Sequence, residues 1–215
     1  MQITIWSDFV CPFCYIGATH LEKALENFEH ADEVEIEYKS YQLEPGAKYE
    51  PEKTYIQAMM DRKNASEEQM VQMTEQVREM AANAGLNYNF EDMKLTDTFP
   101  GHRVFQYAKT EGKGYDFFDK MYEAFFLEGK LIDDADLLVQ VGTEIGLEES
   151  RIREILADEK EYDGEVVNDI FEASQVGVQG VPFFVFNNKY AVSGAQPVEA
   201  FEQVLQQVYD EFAEE

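Results

Sequence analysis

The chain has 215 residues, which is enough for one large domain or two small ones. A chain of this length can bury a hydrophobic core without disulfide bonds. Hydrophobic residues make up 45% of it and its formal net charge is −27, so the chain folds, and neither nucleic acid nor an anionic membrane surface is expected as a partner. It contains no run of about 18 apolar residues of the kind that spans a membrane.

The first 44 residues follow a strand–helix–strand pattern. The apolar run over 2–9 predicts a buried strand, and apolar residues at helical spacing predict a helix from Cys11 to about Glu29. Residues 33–41 alternate charged and apolar side chains, which indicates a half-buried strand parallel to the first. The N-terminus enters the first strand at once, with neither a basic leader nor an apolar signal core, so we expect a cytoplasmic protein.

The middle of the chain, from 45 to about 177, shows almost no strand pattern. Helical spacing there predicts helices over 54–62, 66–84, 102–110, 115–127, 134–145, 148–156 and 162–176. Ser66 and Gln69 have the spacing of a capping box at the start of the second of these. Six of the eight methionines fall between Met59 and Met93, at a spacing that favours core filling; a pliable apolar groove for unfolded substrates is the alternative.

Strands return near the C-terminus. Residues 181–186 and 189–193 flank an Asn-Asn turn and predict a β-hairpin, and 197–212 predict a terminal amphipathic helix. The whole is therefore an α/β chain of βαβ…ββα order, which is the thioredoxin fold. We expect residues 1–44 and 178–215 to form a discontinuous thioredoxin-like domain, and 45–177 to form an all-helical insertion domain.

The chemistry centres on the only two cysteines, Cys11 and Cys14, which lie at the predicted start of the first helix. Disulfide exchange needs a thiolate, and the unpaired N–H groups and dipole of a helix N-terminus favour an anion there. We expect Cys11 to be exposed at the turn and to act as the nucleophile. Cys14 shares a face with apolar residues of the helix, so we expect it to be more buried and to resolve the mixed disulfide.

Two residues separate the cysteines. Pro12 has a backbone preset for a first helical turn, and Phe13 is expected at the surface, either in contact with substrate or packed against the insertion. A structural zinc site would need four ligands, and the sequence has no second cysteine pair and no histidines at ligand spacing, so neither a metal nor a cofactor is expected. Asp8 lies three residues before Cys11 and would raise a thiol pKa or shuttle protons, although turn formation is the simpler role.

Pro182 opens the first strand of the hairpin. In the thioredoxin layout a proline at this point is cis and lies across from the cysteine pair, which turns the backbone polar groups of Val181 outward so that an extended substrate segment can pair with them. An ordinary edge-strand proline is the alternative.

With these residues in view, the sequence resembles the DsbA-like branch of the thioredoxin superfamily, and most closely its cytoplasmic FrnE-like proteins. The resemblance covers essentially the whole chain and is strongest over Asp8–Gly17, Gly177–Phe186 and Tyr190–Gln196. It implies dithiol–disulfide exchange at Cys11 and Cys14 and a cis peptide before Pro182. Many FrnE-like proteins carry Ala-His-Arg in the insertion, where this chain has Gly-His102-Arg103, and the resemblance suggests that these two side chains bind a thiolate or an anionic substrate group over the active site; an ordinary helix start is the alternative.

The sequence therefore predicts a thiol–disulfide oxidoreductase or disulfide isomerase acting on protein thiols and disulfides, with glutathione or a thioredoxin-type protein as candidate reductant. Two alternatives remain. One is a glutathione-dependent isomerase or transferase of the 2-hydroxychromene-2-carboxylate isomerase or kappa glutathione transferase type, which usually has a serine where Cys11 stands. The other is a chaperone-like binding protein without catalysis. The direction of transfer and the oligomeric state stay open, a homodimer included.

Overall fold

A four-stranded sheet forms the centre of the molecule. The computed structural model describes residues 1–158 and 160–213, the last two of these by their backbone alone. The strands are β1 (Gln2–Ser7), β2 (Glu35–Ser40), β3 (Phe183–Phe186) and β4 (Tyr190–Ser193), in the spatial order β2-β1-β3-β4. β2 is parallel to β1, whereas β3 is antiparallel to both β1 and β4. The predicted βαβ and hairpin units thus meet through β1 and β3.

Helices join and cover the strands. α1 (Pro12–Glu26) connects β1 to β2, and α9 (Val198–Ala213) follows β4. Between β2 and β3 lie α2 (Tyr55–Lys63), α3 (Glu67–Ala84), α4 (Phe99–Thr110), α5 (Gly114–Tyr122), α6 (Ala135–Glu144), α7 (Glu149–Ala157) and α8 (Asp163–Val176). This order is the thioredoxin fold with a helical insertion that the sequence predicts.

Local signals explain several helix boundaries. The capping box expected at Ser66 is present, with the Ser66 hydroxyl accepting from the Gln69 N–H and the Gln69 side chain accepting from the Ser66 N–H. α4 begins at Phe99, three residues earlier than predicted. Pro100 fits in the first turn because an N–H group at that point of a helix has no partner within the helix, so its absence costs no hydrogen bond. The helix predicted over 115–127 is α5 followed by a π-helical turn over Glu123–Leu127.

The hydrophobic core is continuous across the sheet and the insertion. α5 and α8 pack against β2, while α1 packs against α3 and α9. Aromatic side chains of the insertion fill much of this space, including the fully buried Phe105, Phe117, Phe118, Phe125 and Phe126. The two predicted domains, 1–44 with 178–215 and 45–177, share one core, so the packing does not separate them. The division of the chain into these domains stays a prediction.

The methionines between Met59 and Met93, whose spacing favours core filling, fill the core only in part. The buried face of α3 consists of Met70, Thr74, Ala81 and Ala84, whereas Met73 and Met80 are exposed. This face packs against α1, and Met73 and Met80 lie outside it. In the part of the chain that the structure describes, none of the helices is long and apolar enough to cross a membrane.

Candidate active site

The two cysteines lie where β1 passes into α1. Cys11 is the N-cap of α1 with an extended backbone, and its N–H donates to the Asp8 carbonyl at 3.2 Å. The Cys14 N–H donates to the Cys11 carbonyl at 3.0 Å, so the second cysteine lies one turn into the helix. Both thiols are free. The first turn of α1 thus holds a free dithiol at the positive end of the helix dipole, as the sequence predicts.

Cys11 is buried, and the expectation that it is exposed is wrong. Its exposed fraction is 2%, close to the 1% of Cys14. The Cys11 Sγ donates to the Val181 carbonyl at 3.4 Å, and the Val181–Pro182 peptide is cis. Burial raises the pKa of Tyr55 and of Tyr88, both from the insertion, and a negative charge on Cys11 adds to the rise. The groups near the Cys11 thiol therefore come from distant parts of the chain.

The surroundings of Cys14 favour its neutral form in the reduced protein. Burial raises the pKa of the Cys14 thiol well above its usual value, and the hydrogen bond and negative charge of Cys11 add to the rise. The Ser7 hydroxyl and the Asp8 backbone act in the opposite direction, because hydrogen bonds to Cys14 lower its pKa. Burial and the neighbouring Cys11 therefore make the proton of Cys14 difficult to remove.

Tyrosine hydroxyls surround the cysteine pair. Tyr88 donates to the Pro12 carbonyl at 2.7 Å, and Tyr122 is hydrogen-bonded to the Ser7 hydroxyl at 2.5 Å. Tyr15 lies between them, stacked on Tyr122 with ring centroids 4.9 Å apart. Burial, as the largest cause, raises the pKa of both Tyr88 and Tyr122, so both are neutral hydroxyls. Neither tyrosine could be identified from the sequence, because tyrosines in an aromatic-rich insertion give no spacing signal.

Asp8 and His102 form a fully buried pair below the cysteine turn. His102 Nε2 donates to Asp8 Oδ1 at 3.2 Å, and the Leu43 N–H donates to Asp8 Oδ2 at 2.8 Å. The His102 ring stacks on Phe9 with centroids 4.4 Å apart. Asp8 thus forms a turn through its backbone, as expected, while its carboxylate ties the insertion and the loop after β2 to the active-site turn. His102 is close to this turn, but it contacts the carboxylate and not a thiol.

Arg103 points elsewhere. Its guanidinium donates to the carbonyls of Ile155 at 2.5 Å and Glu161 at 2.7 Å, and also to that of Asp158; it forms an ion pair with Asp163 at 3.2 Å. It therefore joins α4 to the connection between α7 and α8. Arg103 forms its contacts with this connection and not with the cysteines, so the expectation that it lies over the active site is wrong.

An apolar rim borders the cysteine turn. Phe13 is 38% exposed at the start of α1, as expected, and Leu43 is 42% exposed on the loop that Asp8 holds. Pro12 between the cysteines is half-buried. Leu43 was not identified from the sequence, because only the parallel pairing of β1 and β2 brings the residues after both strands to the same edge.

The described residues of this site include no cluster of metal ligands. Across residues 1–158 and 160–213, no group of three or more histidines, cysteines, aspartates and glutamates is arranged to hold a metal ion.

Comparisons with known proteins agree with this fold. A family model described as DSBA-like thioredoxin domain matches residues 2–206. The structure of a probable DsbA oxidoreductase from Streptomyces coelicolor is 37% identical, with a TM-score of 0.91, and the match covers 98% of this chain and 91% of that one. The structure of a 2-hydroxychromene-2-carboxylate isomerase is 16% identical, with a TM-score of 0.73, and the match covers 100% of this chain and 98% of that one. The structure of the cytosolic disulfide reductase DsbM from Pseudomonas aeruginosa with glutathione is 15% identical, with a TM-score of 0.66, and the match covers 96% of this chain and 98% of that one.

Proposed function

The chain belongs to the DSBA-like thioredoxin domain family, and on that premise we propose that it is a thiol–disulfide oxidoreductase or disulfide isomerase that acts on protein substrates through Cys11 and Cys14. The observation that carries the proposal is the free dithiol in the first turn of α1, with the Cys11 Sγ against the Val181 carbonyl. Cys11 lies at the N-terminus of α1, and the raised pKa of Cys14 suits a thiol that reacts second.

In this mechanism the Cys11 thiolate attacks one sulfur of a substrate disulfide, and the other substrate sulfur leaves with the electron pair. Cys14 then loses its proton and attacks Cys11 Sγ, which releases the reduced substrate and leaves the Cys11–Cys14 disulfide. The same steps in reverse oxidise a substrate dithiol. Which direction prevails depends on the reduction potentials of the pair and of its partners.

Substrate access requires the cover over Cys11 to open. We propose that an extended substrate segment takes the place of the Cys11 thiol at the Val181 carbonyl, with Pro182 fixing the loop, and that Phe13, Pro12 and Leu43 contact apolar substrate side chains. Backbone pairing of this kind accepts many sequences, which suits an enzyme that acts on unfolded or partly folded proteins.

A pair of variants tests the proposal. Cys11→Ser should abolish the reduction of insulin by dithiothreitol above the uncatalysed rate, because Cys14 is then the only cysteine of the chain and the Cys11–Cys14 disulfide cannot form. Cys14→Ala should keep the first attack and accumulate a covalent adduct with the substrate that dithiothreitol releases. Cys14→Ser, the matched control, should trap the same adduct. Full activity of the Cys11→Ser variant would contradict the proposal.

Glutathione is the candidate low-molecular-weight partner, since DsbM has been solved with it and shares this fold. Equilibration of the protein with mixtures of reduced and oxidised glutathione should convert Cys11 and Cys14 together in a single two-electron transition. Turnover of a small aromatic substrate with glutathione that is unchanged in Cys14→Ala would instead support the isomerase alternative. We further propose that the protein works in the cytoplasm.

A further inference from the structure

Tyr88 connects the insertion to the dipeptide between the two cysteines. Its hydroxyl donates to the Pro12 carbonyl at 2.7 Å, and its side chain is buried, with 1% exposed. Pro12 and Phe13 are the two residues that separate Cys11 from Cys14. A hydrogen bond from the insertion therefore reaches the middle of the ring that the cysteines close when they form a disulfide.

The segment that carries Tyr88 is itself held by the insertion. The Arg78 guanidinium, from α3, donates to the Tyr88 carbonyl at 3.1 Å. The Asn89 N–H donates to the Phe126 carbonyl at 2.7 Å, and the Tyr88 ring stacks on that of Phe126 with centroids 4.5 Å apart. Phe126 belongs to the π-helical turn after α5. The Tyr88 hydroxyl is therefore a fixed point against which the cysteine turn is held.

This hydrogen bond restrains the backbone torsion of Pro12 that its own ring leaves free. The proline ring fixes φ, whereas the direction of the carbonyl depends on ψ, so a donor held against the carbonyl restrains ψ as well. The ψ angle of Pro12 decides where Phe13, and Cys14 after it, lie relative to Cys11. Helix ends fray, and the first turn of α1 is such an end. Tyr88 thus fixes the part of α1 in which the two thiols must meet.

We propose that Tyr88 is a positioning residue for the resolving step: by holding the Pro12 carbonyl, it keeps Cys14 within reach of Cys11 while the substrate is attached, and so shortens the life of the mixed disulfide. This inference rests on the proposed function. The Cys11–Cys14 disulfide and the Tyr88 hydrogen bond restrain the same dipeptide, so each reduces the entropy that the other must remove. The hydroxyl therefore raises the effective concentration of one thiol at the other.

The step that Tyr88 assists balances without a further reagent. Cys14 gives its proton to solvent, and its sulfur forms a bond with Cys11 Sγ. The bond between Cys11 and the substrate sulfur breaks, and the substrate sulfur leaves with the electron pair. Tyr88 keeps its hydrogen throughout. A long-lived mixed disulfide gives the substrate time to exchange its own sulfurs, so faster resolution favours net reduction of the substrate over rearrangement.

Dithionitrobenzoate separates the two steps in one trace. Attack by Cys11 releases one thionitrobenzoate in a phase that depends on reagent concentration, and attack by Cys14 releases a second in a phase that does not. Tyr88→Phe keeps the stacked ring and removes only the donor, so the first phase should be unchanged. The second should slow about threefold, near the lower end of what one hydrogen bond contributes, and by the same factor at every pH because the effect is geometric.

The equilibrium with glutathione gives a second readout. A lower effective concentration makes the protein disulfide easier to reduce, so Tyr88→Phe should shift the equilibrium toward the dithiol, also by about threefold. Tyr38→Phe is the matched control, with both phases and the equilibrium unchanged. It removes a hydroxyl from a tyrosine that is likewise buried and stacked, on Phe118 with centroids 4.5 Å apart, but that lies on β2 and not in the segment that holds Pro12.

A second phase that is unchanged in Tyr88→Phe, even in a less stable protein, would overturn the inference, since a purely structural role predicts that result. Equal losses in both phases, a deficit that varies with pH, a slower second phase without the shift toward the dithiol, or the same deficit in Tyr38→Phe would also overturn it. A wild-type trace that ends after one equivalent would instead overturn the Cys11–Cys14 redox pair, and with it the proposed function.

Discussion

The buried pair of Asp8 and His102 should be among the strongest single determinants of stability around the active site. His102→Phe keeps the ring that stacks on Phe9 but removes the Nε2 donor to Asp8. Both side chains have no exposed surface, so the carboxylate cannot exchange the lost donor for water without rearrangement. Removing one partner of a buried hydrogen bond typically costs about 1–3 kcal/mol, and more when the group left behind is a carboxylate. Because Asp8 keeps the Leu43 N–H, we expect a loss of about 3 kcal/mol in the free energy of unfolding.

Urea denaturation followed by far-ultraviolet circular dichroism measures this loss, and the thermal midpoint should fall by roughly 6–12 °C for a chain of this size. His30→Phe is the matched control. His30 also stacks on an aromatic ring, that of Tyr209, and contacts a carboxylate, that of Glu33 at 3.1 Å, but it lies at the surface. The control should therefore change stability by less than about 1 kcal/mol. A His102→Phe protein as stable as the His30→Phe protein would refute the reasoning.

Two further predictions concern backbone packing and pH. Gly17→Ala would place a Cβ 3.1 Å from Pro182 and 3.2 Å from Phe184, so it should lower the free energy of unfolding by about 1–2 kcal/mol. Gly164→Ala is the control: its Cβ would meet no atom within 4 Å, so it should be neutral or slightly stabilising in the same denaturation assay. Burial, with the charges of Glu123 and Glu22, raises the pKa of Asp119 from 3.8 to about 6. The folded state then binds more protons than the unfolded state between about pH 4 and 6, so stability decreases as the pH rises through that window; Asp119→Asn should remove this slope and add roughly 1 kcal/mol above pH 6, after allowance for solvent screening.

The sequence is sufficient to predict the fold because its signals are local. The apolar strand, the cysteine turn and the helical spacing after it define the βαβ unit, and the Asn-Asn turn defines the hairpin. Ser66 and Gln69 lie three residues apart, so their capping box is visible without any tertiary contact. The two thiols are predicted as a pair for the same reason.

The surroundings of the thiols could not be predicted, because they depend on contacts between distant residues. The Cys11 thiol donates to Val181, 170 residues away along the chain, and Tyr88 donates to the Pro12 carbonyl from 76 residues away. The direction in which Arg103 points depends on carbonyls near the end of α7 and in the segment after it, whose position follows only from the packing of the insertion. The type of a residue indicates which hydrogen bonds its side chain can form, whereas its burial and its hydrogen-bond partners depend on the whole fold.

The charges of this protein are arranged so that its high acidity does not act on the thiols. The net charge of −27 lies mainly on solvated side chains, and salt screens such charges beyond about 10 Å. The Asp8 carboxylate, which lies next to the cysteine turn, accepts from Leu43 and His102, while the Asp8 backbone faces Cys14. The Cys11 thiol donates to the uncharged Val181 carbonyl. Because a carboxylate directed at a thiol opposes the formation of a thiolate, the hydrogen bonds that engage the Asp8 carboxylate elsewhere support the proposed exchange chemistry.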